Sequence, residues 1–467
     1  MKSKGPLIAS DWPCAAWNDR LSWNSGDRNS PAIGVAGQKT EACPERSRRD
    51  RIQNSFSCLL FSTSCVLIIL AGCRPRQIIR PTPQMGIEPE FWVRVLLLDG
   101  AKQCTINSDF PFEVVEMPAS GGLTRKARFD REGLPAKVGV SAGKITIAGR
   151  TLETSQALIS PDEPHVFSLN GQQYRGKLKL IINADSNSFD AINLVPLEPY
   201  LAGVVGAEMP DYWEPEALKA QAIAARTYCL YIKRRFGQKR HWDVSATQAN
   251  QVYTGTKAES AQVWDAVNST HGQVLVCKQS AGTEDIFPTY YSAICGGHTE
   301  NSENVFGDSF ESLKGVDCPY CKDVARLDFF FWPMAQFDQN DVTARLMQRF
   351  PELKPLGEIV SIKPAKQSDY GTYARLTSVQ LTGSTGKSYL LRAEDLRLTI
   401  DPSGQKLKST ICLIVKWDGK WAFLSGRGWG HGVGMCQHGA EGMARYGKTA
   451  SAILQHYYPG SRITKVY

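Results

Sequence analysis

One carboxylate stands at an abrupt change of chain path: Glu208, in Val204-Val-Gly-Ala-Glu-Met-Pro-Asp211. Small and apolar residues precede it, and Pro210 biases Met209 toward an extended conformation, which sets Glu208 at a strand or turn end facing a cleft. Such surroundings raise a carboxyl pKa. A carboxyl still protonated near neutral pH can give its proton to a leaving oxygen, which is what cleavage of a glycosidic bond requires. A Glu here can equally order the helix that follows by placing negative charge near its N-terminus. The residue types alone leave both readings open.

A second stretch with chemical potential is Gly426-Arg-Gly-Trp-Gly-His-Gly-Val-Gly-Met-Cys-Gln-His-Gly-Ala440. Its glycines permit tight turns and close backbone approach, so peptide N–H groups and the side chains of His431, Gln437 and His438 can line a saccharide-binding wall. The run lacks the Gly-Lys-Ser/Thr ending of a phosphate loop. Flanking glycines leave His431 little apolar packing and place it in a cleft, whereas His438 is balanced between cleft and core. The third set is Cys295-Gly-Gly-His298 with Cys318-Pro-Tyr-Cys321, which has the spacing of a four-ligand zinc knuckle. In an oxidising compartment paired thiols more often form disulfides, so the disulfide is expected ahead of zinc. No cysteine sits in a nucleophile motif, and no cofactor is expected.

The element that must position Glu208 is the helix that follows it. Pro215 suits the first helical position, Asp211 and Glu214 have capping-box spacing, and no glycine or proline interrupts the run to about Arg235. Leu218, Ala222, Ala225 and Cys229 recur at helical spacing as its core face, leaving Gln221, Arg226 and Tyr228 to turn toward the Glu208 cleft or toward water.

At 467 residues and 42% hydrophobic composition, the chain can hold two or three domains with real cores. Its formal charge of +8 is modest and its basic residues are scattered apart from Arg46 to Arg51 and Lys233 to Arg240, which gives little support to a nucleic-acid surface while leaving an anionic polymer as a compatible partner. Arg46, Arg48, Arg49 and Arg51 precede an apolar run from Phe56 to Gly72 that ends Leu70-Ala-Gly-Cys73, the order of charge, apolar core and small residues found in export signals. The apolar run is short for a membrane span. Of the 13 cysteines, Cys14, Cys43, Cys58, Cys65 and Cys73 fall in or before this leader.

The expected organisation is an unstructured extension over 1–45, consistent with a start assigned too far upstream, a leader over 46–73 and a Pro-rich linker over 74–90. A β-rich region over 91–189 follows, with short runs at Val93–Leu98, Phe112–Val115, Val138–Val140, Lys144–Ile147 and Lys177–Ile182. Residues 190–467 mix further helices, around Glu259–Asn268 and Thr343–Phe350, with strands at Gly272–Cys277 and Thr289–Ser292 and hairpins from Val360 to Val415. The irregular order predicts an α+β fold.

Four motifs in register, Leu197-Glu-Pro-Tyr-Leu-Ala-Gly-Val-Val-Gly-Ala-Glu-Met-Pro210, Ala217-Leu-Lys-Ala-Gln-Ala-Ile-Ala-Ala-Arg-Thr-Tyr228, Tyr291-Ser-Ala-Ile-Cys-Gly-Gly-His-Thr-Glu300 and the Gly426–Ala440 run, closely resemble the stage II sporulation protein D/LytB family. The resemblance spans roughly Val93 to Tyr467. It implies a peptidoglycan-acting, extracytoplasmic protein, either a lytic transglycosylase or a non-catalytic glycan-binding enhancer of a cell-wall amidase. Glu208 matches the family's catalytic glutamate, and Gln251-Val-Tyr253 resembles a segment near the active site. Gln221, Arg226, Gln251, Tyr253, Ser292, His431, Gln437 and His438 are then the expected substrate contacts. Leu70–Cys73 resembles a lipobox, implying a lipid on Cys73 that tethers the chain to a membrane. Some members carry zinc on a His and Cys cluster just before the Gln-Val-Tyr segment; here His241–Gln251 supplies one His and no Cys. Whether sporulation is involved does not follow from the resemblance.

Overall fold

A computed structural model describes residues 91–118, 125–130, 133–279 and 282–467. The expected extension, leader, Cys73 lipidation site and linker lie outside the described residues. Among those residues, no helix is long and apolar enough to cross a membrane.

The β-rich region is two antiparallel sheets. In one, Trp92–Ala101 pairs with Phe189–Pro196, which continues through Lys177–Ile182, Gln156–Pro161 and Phe112–Glu116. In the other, Gln103–Asn107 lies between Val166–Leu169 and Ala136–Ser141. Period-two sequences explain the pairing: Gln156–Pro161 alternates half-buried and buried residues along its length, so one face turns to a core of Ile106, Phe112, Val138, Ile159, Phe167 and Leu180. Trp92–Ala101 also accepts Val244–Ser245 as a parallel edge, so this sheet reaches past residue 189 and touches the helical region directly. Arg94 fixes that junction by donating from Nε and Nη2 to Asp243 at 3.2 and 2.6 Å.

Seven helices of eight or more residues follow among the described residues: α1 (Leu197–Glu208), α2 (Pro215–Phe236), α3 (Ala261–Ser269), α4 (Gln339–Arg349), α5 (Ala393–Ile400), α6 (Gln437–Arg445) and α7 (Ala450–Tyr457). The mixture of helices with antiparallel sheets is α+β. One core gathers α1, α2, α3, α6 and α7; a second, in residues 331–424, packs α4 and α5 on the meander Ile359–Asp369, Ala374–Gly383 and Ser388–Arg392.

Glu208 departs from its expected setting. It is the last residue of α1, not a strand or turn end. Pro210 does hold Met209 extended, at φ −132° and ψ 142°, but that constraint acts on the residue before proline and ends the helix one step beyond Glu208. α1 approaches its neighbours closely because it carries glycine: a Cβ on Gly203 would lie 2.4 Å from the Tyr253 ring.

Expectation and structure also differ for α2. Pro215 opens it after Glu214, with no side-chain cap from Asp211 or Glu214. Leu218, Ala222, Ala225 and Cys229 are buried as the periodicity requires, yet Gln221, Arg226 and Tyr228 are buried as well. Ala217, Ala220 and Ala224 take up the other faces, so α2 is packed all round and has no solvent flank over this stretch. Arg226 meets Glu198 of α1 through two bonds, 2.9 Å from Nε and 2.6 Å from Nη2, with Tyr467 Oη also donating to Glu198. Removing one partner of such a pair leaves a buried charge. Arg226→Ala is expected to cost about 3–5 kcal/mol in urea unfolding, against less than about 1 kcal/mol for Arg234→Ala at the exposed pair with Asp285. Equal losses would contradict the buried role.

Candidate functional site

The Glu208 carboxyl is gripped from two directions. Val252 N donates to Oε1 at 2.8 Å, and Gln437 Nε2, at the start of α6, donates to Oε2 at 3.2 Å and to the Glu208 carbonyl at 3.3 Å. The glycine-rich run and the Gln-Val-Tyr segment therefore converge on this residue.

Each arm is held by residues behind it. Gln251 is fully buried: its Oε1 accepts from Tyr200 Oη at 3.0 Å, and its Nε2 donates to Ala225 O at 3.1 Å and to Tyr291 Oη at 3.0 Å. That three-way anchor fixes the backbone so that the next N–H, from Val252, points at Glu208. Tyr253 Oη donates to Asn193 and its ring lies against Gly203, which makes it part of the frame. On the other side, Tyr291 and Ser292 pair in parallel with Met435 and Cys436, immediately before Gln437. Gly434 allows this approach: its φ is +70°, and a Cβ would lie 2.0 Å from Tyr290 O.

Two opposing effects set the state of Glu208. Enclosure by α1, the 251–253 segment and α6 strips water from the carboxyl and raises its pKa; the bonds from Val252 and Gln437 stabilise the anion and pull it down. Desolvation dominates, and the pKa stays above the ordinary 4.5. The residue as a whole is half-buried. Asp211 and Glu214 are exposed, and Asp243 is committed to Arg94; no carboxylate is among the groups that shift Glu208.

The two histidines are neutral at neutral pH, each lowered to about 4 by burial. His431 Nδ1 accepts from Val433 N at 3.0 Å, which puts the ring proton on Nε2; its ring faces Phe306 and Tyr290. His438 Nδ1 donates to Ala293 O at 2.9 Å, leaving Nε2 as an acceptor, with Trp213 edge-on at 4.9 Å. Ser292 Oγ and both amide atoms of Gln221 are buried and have no hydrogen-bond partner among the described residues. Of the expected substrate contacts, the structure thus brings Gln437 onto Glu208, whereas Gln251, Arg226 and Tyr253 are placed in the frame behind it, and the Ser292 hydroxyl is buried beside the strand that leads to Gln437. Sequence reasoning overlooked three supports: the Val252 N–H, Tyr200, and Tyr291, whose signal lay in its own motif. Arg375 was overlooked as well; it is buried and donates to Cys295 O at 2.6 Å and His431 O at 3.5 Å, bracing the glycine-rich loop from the second core. A cavity lined by Phe337, Asp341, Arg345 and Asp401 belongs to that second core and shares no residue with this site.

The cysteine expectation is corrected in two respects. All eight described cysteines are free, so the expected disulfide is not formed among them. His298 does not join Cys295, Cys318 and Cys321: its Nδ1 bonds Thr299 O and its ring stacks on Tyr370. Cys436 takes its place, with the four sulfurs within 4.8 Å of one another.

A family model described as "Stage II sporulation protein" matches residues 185–277, which include Glu208 and Gln251. An uncharacterised protein of Brachyspira hyodysenteriae is 32% identical over 374 residues, covering 79% of this chain and 91% of that one. Stage II sporulation protein D of Bacillus subtilis is 29% identical over 290 residues, 59% of this chain and 76% of that one. The amidase enhancer of Bacillus subtilis is 29% identical over 362 residues, 70% of this chain but 49% of that protein.

The raised carboxyl carries a sign for stability. As pH rises, the unfolded chain ionises Glu208 near 4.5 while the folded chain resists, so folding stability falls from 4.5 up to the raised folded value and is flat beyond. Glu208→Gln has no such loss. Its stability relative to the native chain should improve across that window in chemical denaturation; a difference that is constant with pH, or that moves the other way, would refute the desolvated carboxyl.

Proposed function

Since the chain belongs to the stage II sporulation protein D family, we propose that it acts on the cell wall as a lytic transglycosylase, cleaving the bond between N-acetylmuramic acid and N-acetylglucosamine in peptidoglycan strands. The observation that carries this reading is the desolvated carboxyl of Glu208, held by Val252 N and Gln437 with no carboxylate partner among the described residues. Hydrolysing glycosidases generally need two carboxylates. An intramolecular route needs one.

In that route protonated Glu208 gives its proton to the glycosidic oxygen as the C–O bond breaks. The resulting carboxylate, stabilised by the two donors already in place, then takes the proton of the muramyl 6-hydroxyl as that oxygen closes on the anomeric carbon. The ring product is a 1,6-anhydro sugar, the proton returns to Glu208, and no water is consumed. The walls of the glycine-rich loop supply imidazole and peptide groups suited to sugar hydroxyls. A leader with a lipid on Cys73 would hold the protein at the outer face of a membrane, within reach of its substrate.

A second reading has its own support: the relative named amidase enhancer aligns over 70% of this chain. In it the same cleft binds glycan without cutting it and stimulates a cell-wall amidase. Incubation of the purified protein with glycan strands stripped of peptides, followed by mass spectrometry, separates the two. Anhydro-muramyl ends are expected, falling by about 10²–10⁴-fold in Glu208→Gln. Absence of these ends with the native protein, together with undiminished amidase stimulation by Glu208→Gln, would favour the enhancer and overturn the enzyme.

A further inference from the structure

Cys436 has no part in the chemistry above, yet it sits one residue before Gln437. We infer that Cys295, Cys318, Cys321 and Cys436 form a structural zinc site, with all four thiolates as ligands. The four sulfurs come from three separate chain segments, are almost fully buried, and lie within 4.8 Å of one another. A tetrahedral zinc with bonds of about 2.3 Å requires sulfurs about 3.8 Å apart. Cys295 and Cys321 are 3.7 Å apart. A disulfide demands about 2.0 Å and joins sulfurs two by two, whereas these four converge on a common centre.

The surroundings suit thiolates. Cys295 N approaches Cys436 Sγ at 3.2 Å, and Tyr457 Oη reaches Cys318 Sγ at 3.1 Å, two N–H and O–H donors of the kind that orient and stabilise ligating sulfur. The Arg375 guanidinium, bonded to Cys295 O, supplies buried positive charge beside the cluster. Gly439 belongs to the same construction, since a Cβ there would lie 2.6 Å from Cys318 Sγ. Cys318-Pro-Tyr-Cys321 provides the paired spacing typical of structural zinc.

Such a site would tie the Tyr291–Ile294 segment, the 318–321 turn and the start of α6 into one unit directly behind Gln437. It requires neither transglycosylase nor enhancer activity. Purified full-length protein, isolated without chelator, should carry one equivalent of zinc by elemental analysis, and cobalt exchange should give the absorption of a tetrahedral tetrathiolate. Cys436→Ser should weaken zinc retention against a chelator by more than the about 10–100-fold seen for loss of an outer partner, with Cys412→Ser and His298→Ala unchanged. Should Cys436→Ser fail to fold, the cobalt spectrum of the native chain still decides. A metal-free native chain whose mass is short of four hydrogens, as two disulfides would make it, or zinc retention unaltered by Cys436→Ser, would overturn the site.

Discussion

The balance at Glu208 between lost water and two donated hydrogen bonds governs the rest of the architecture. Enclosure alone would leave a carboxyl too reluctant to ionise, and the two donors alone would leave it a plain carboxylate. A group that must give a proton and take one back in a single turnover has to stand between those limits. Supplying both donors requires two distant segments, at Val252 and Gln437, to meet at the end of α1.

Much of the fold explains how that meeting is held. α1 is buried along nearly its whole length and is pinned to α2 by the Glu198–Arg226 pair. Gln251, saturated by Tyr200, Ala225 and Tyr291, carries rigidity from the helices into the Val252 N–H. The parallel pairing of Tyr291–Ser292 with Met435–Cys436 performs the same service for Gln437. The second core contributes through Arg375, which braces two carbonyls of the glycine-rich loop and motif that flank the site.

The sequence exposed the parts with strong local signatures. Pro215 and the uninterrupted alanine-rich run marked α2 to within a residue or two of its observed end, and short β-branched runs marked the strands of the N-terminal sheets. Where reading by periodicity failed, tertiary context was responsible. Gln221 and Arg226 look like a polar flank in a helix considered alone, but α2 runs through the middle of a core and has none there. Glu208 closes a helix because the pre-proline restriction falls on Met209. His298 had ligand spacing in the chain, while Cys436, over a hundred residues away, had ligand position in space. Spacing reports local geometry only, and no local pattern announces a thiol delivered by a distant loop.

The account rests on Glu208 holding a proton at a pH where an ordinary glutamate has lost it. Infrared difference spectroscopy of the native protein against Glu208→Gln, across a pH titration, measures this directly through the carbonyl stretch of a protonated carboxyl. A band that is absent from the variant and titrates with a midpoint above 4.5 is the expected result. A midpoint at or below 4.5 would contradict the account.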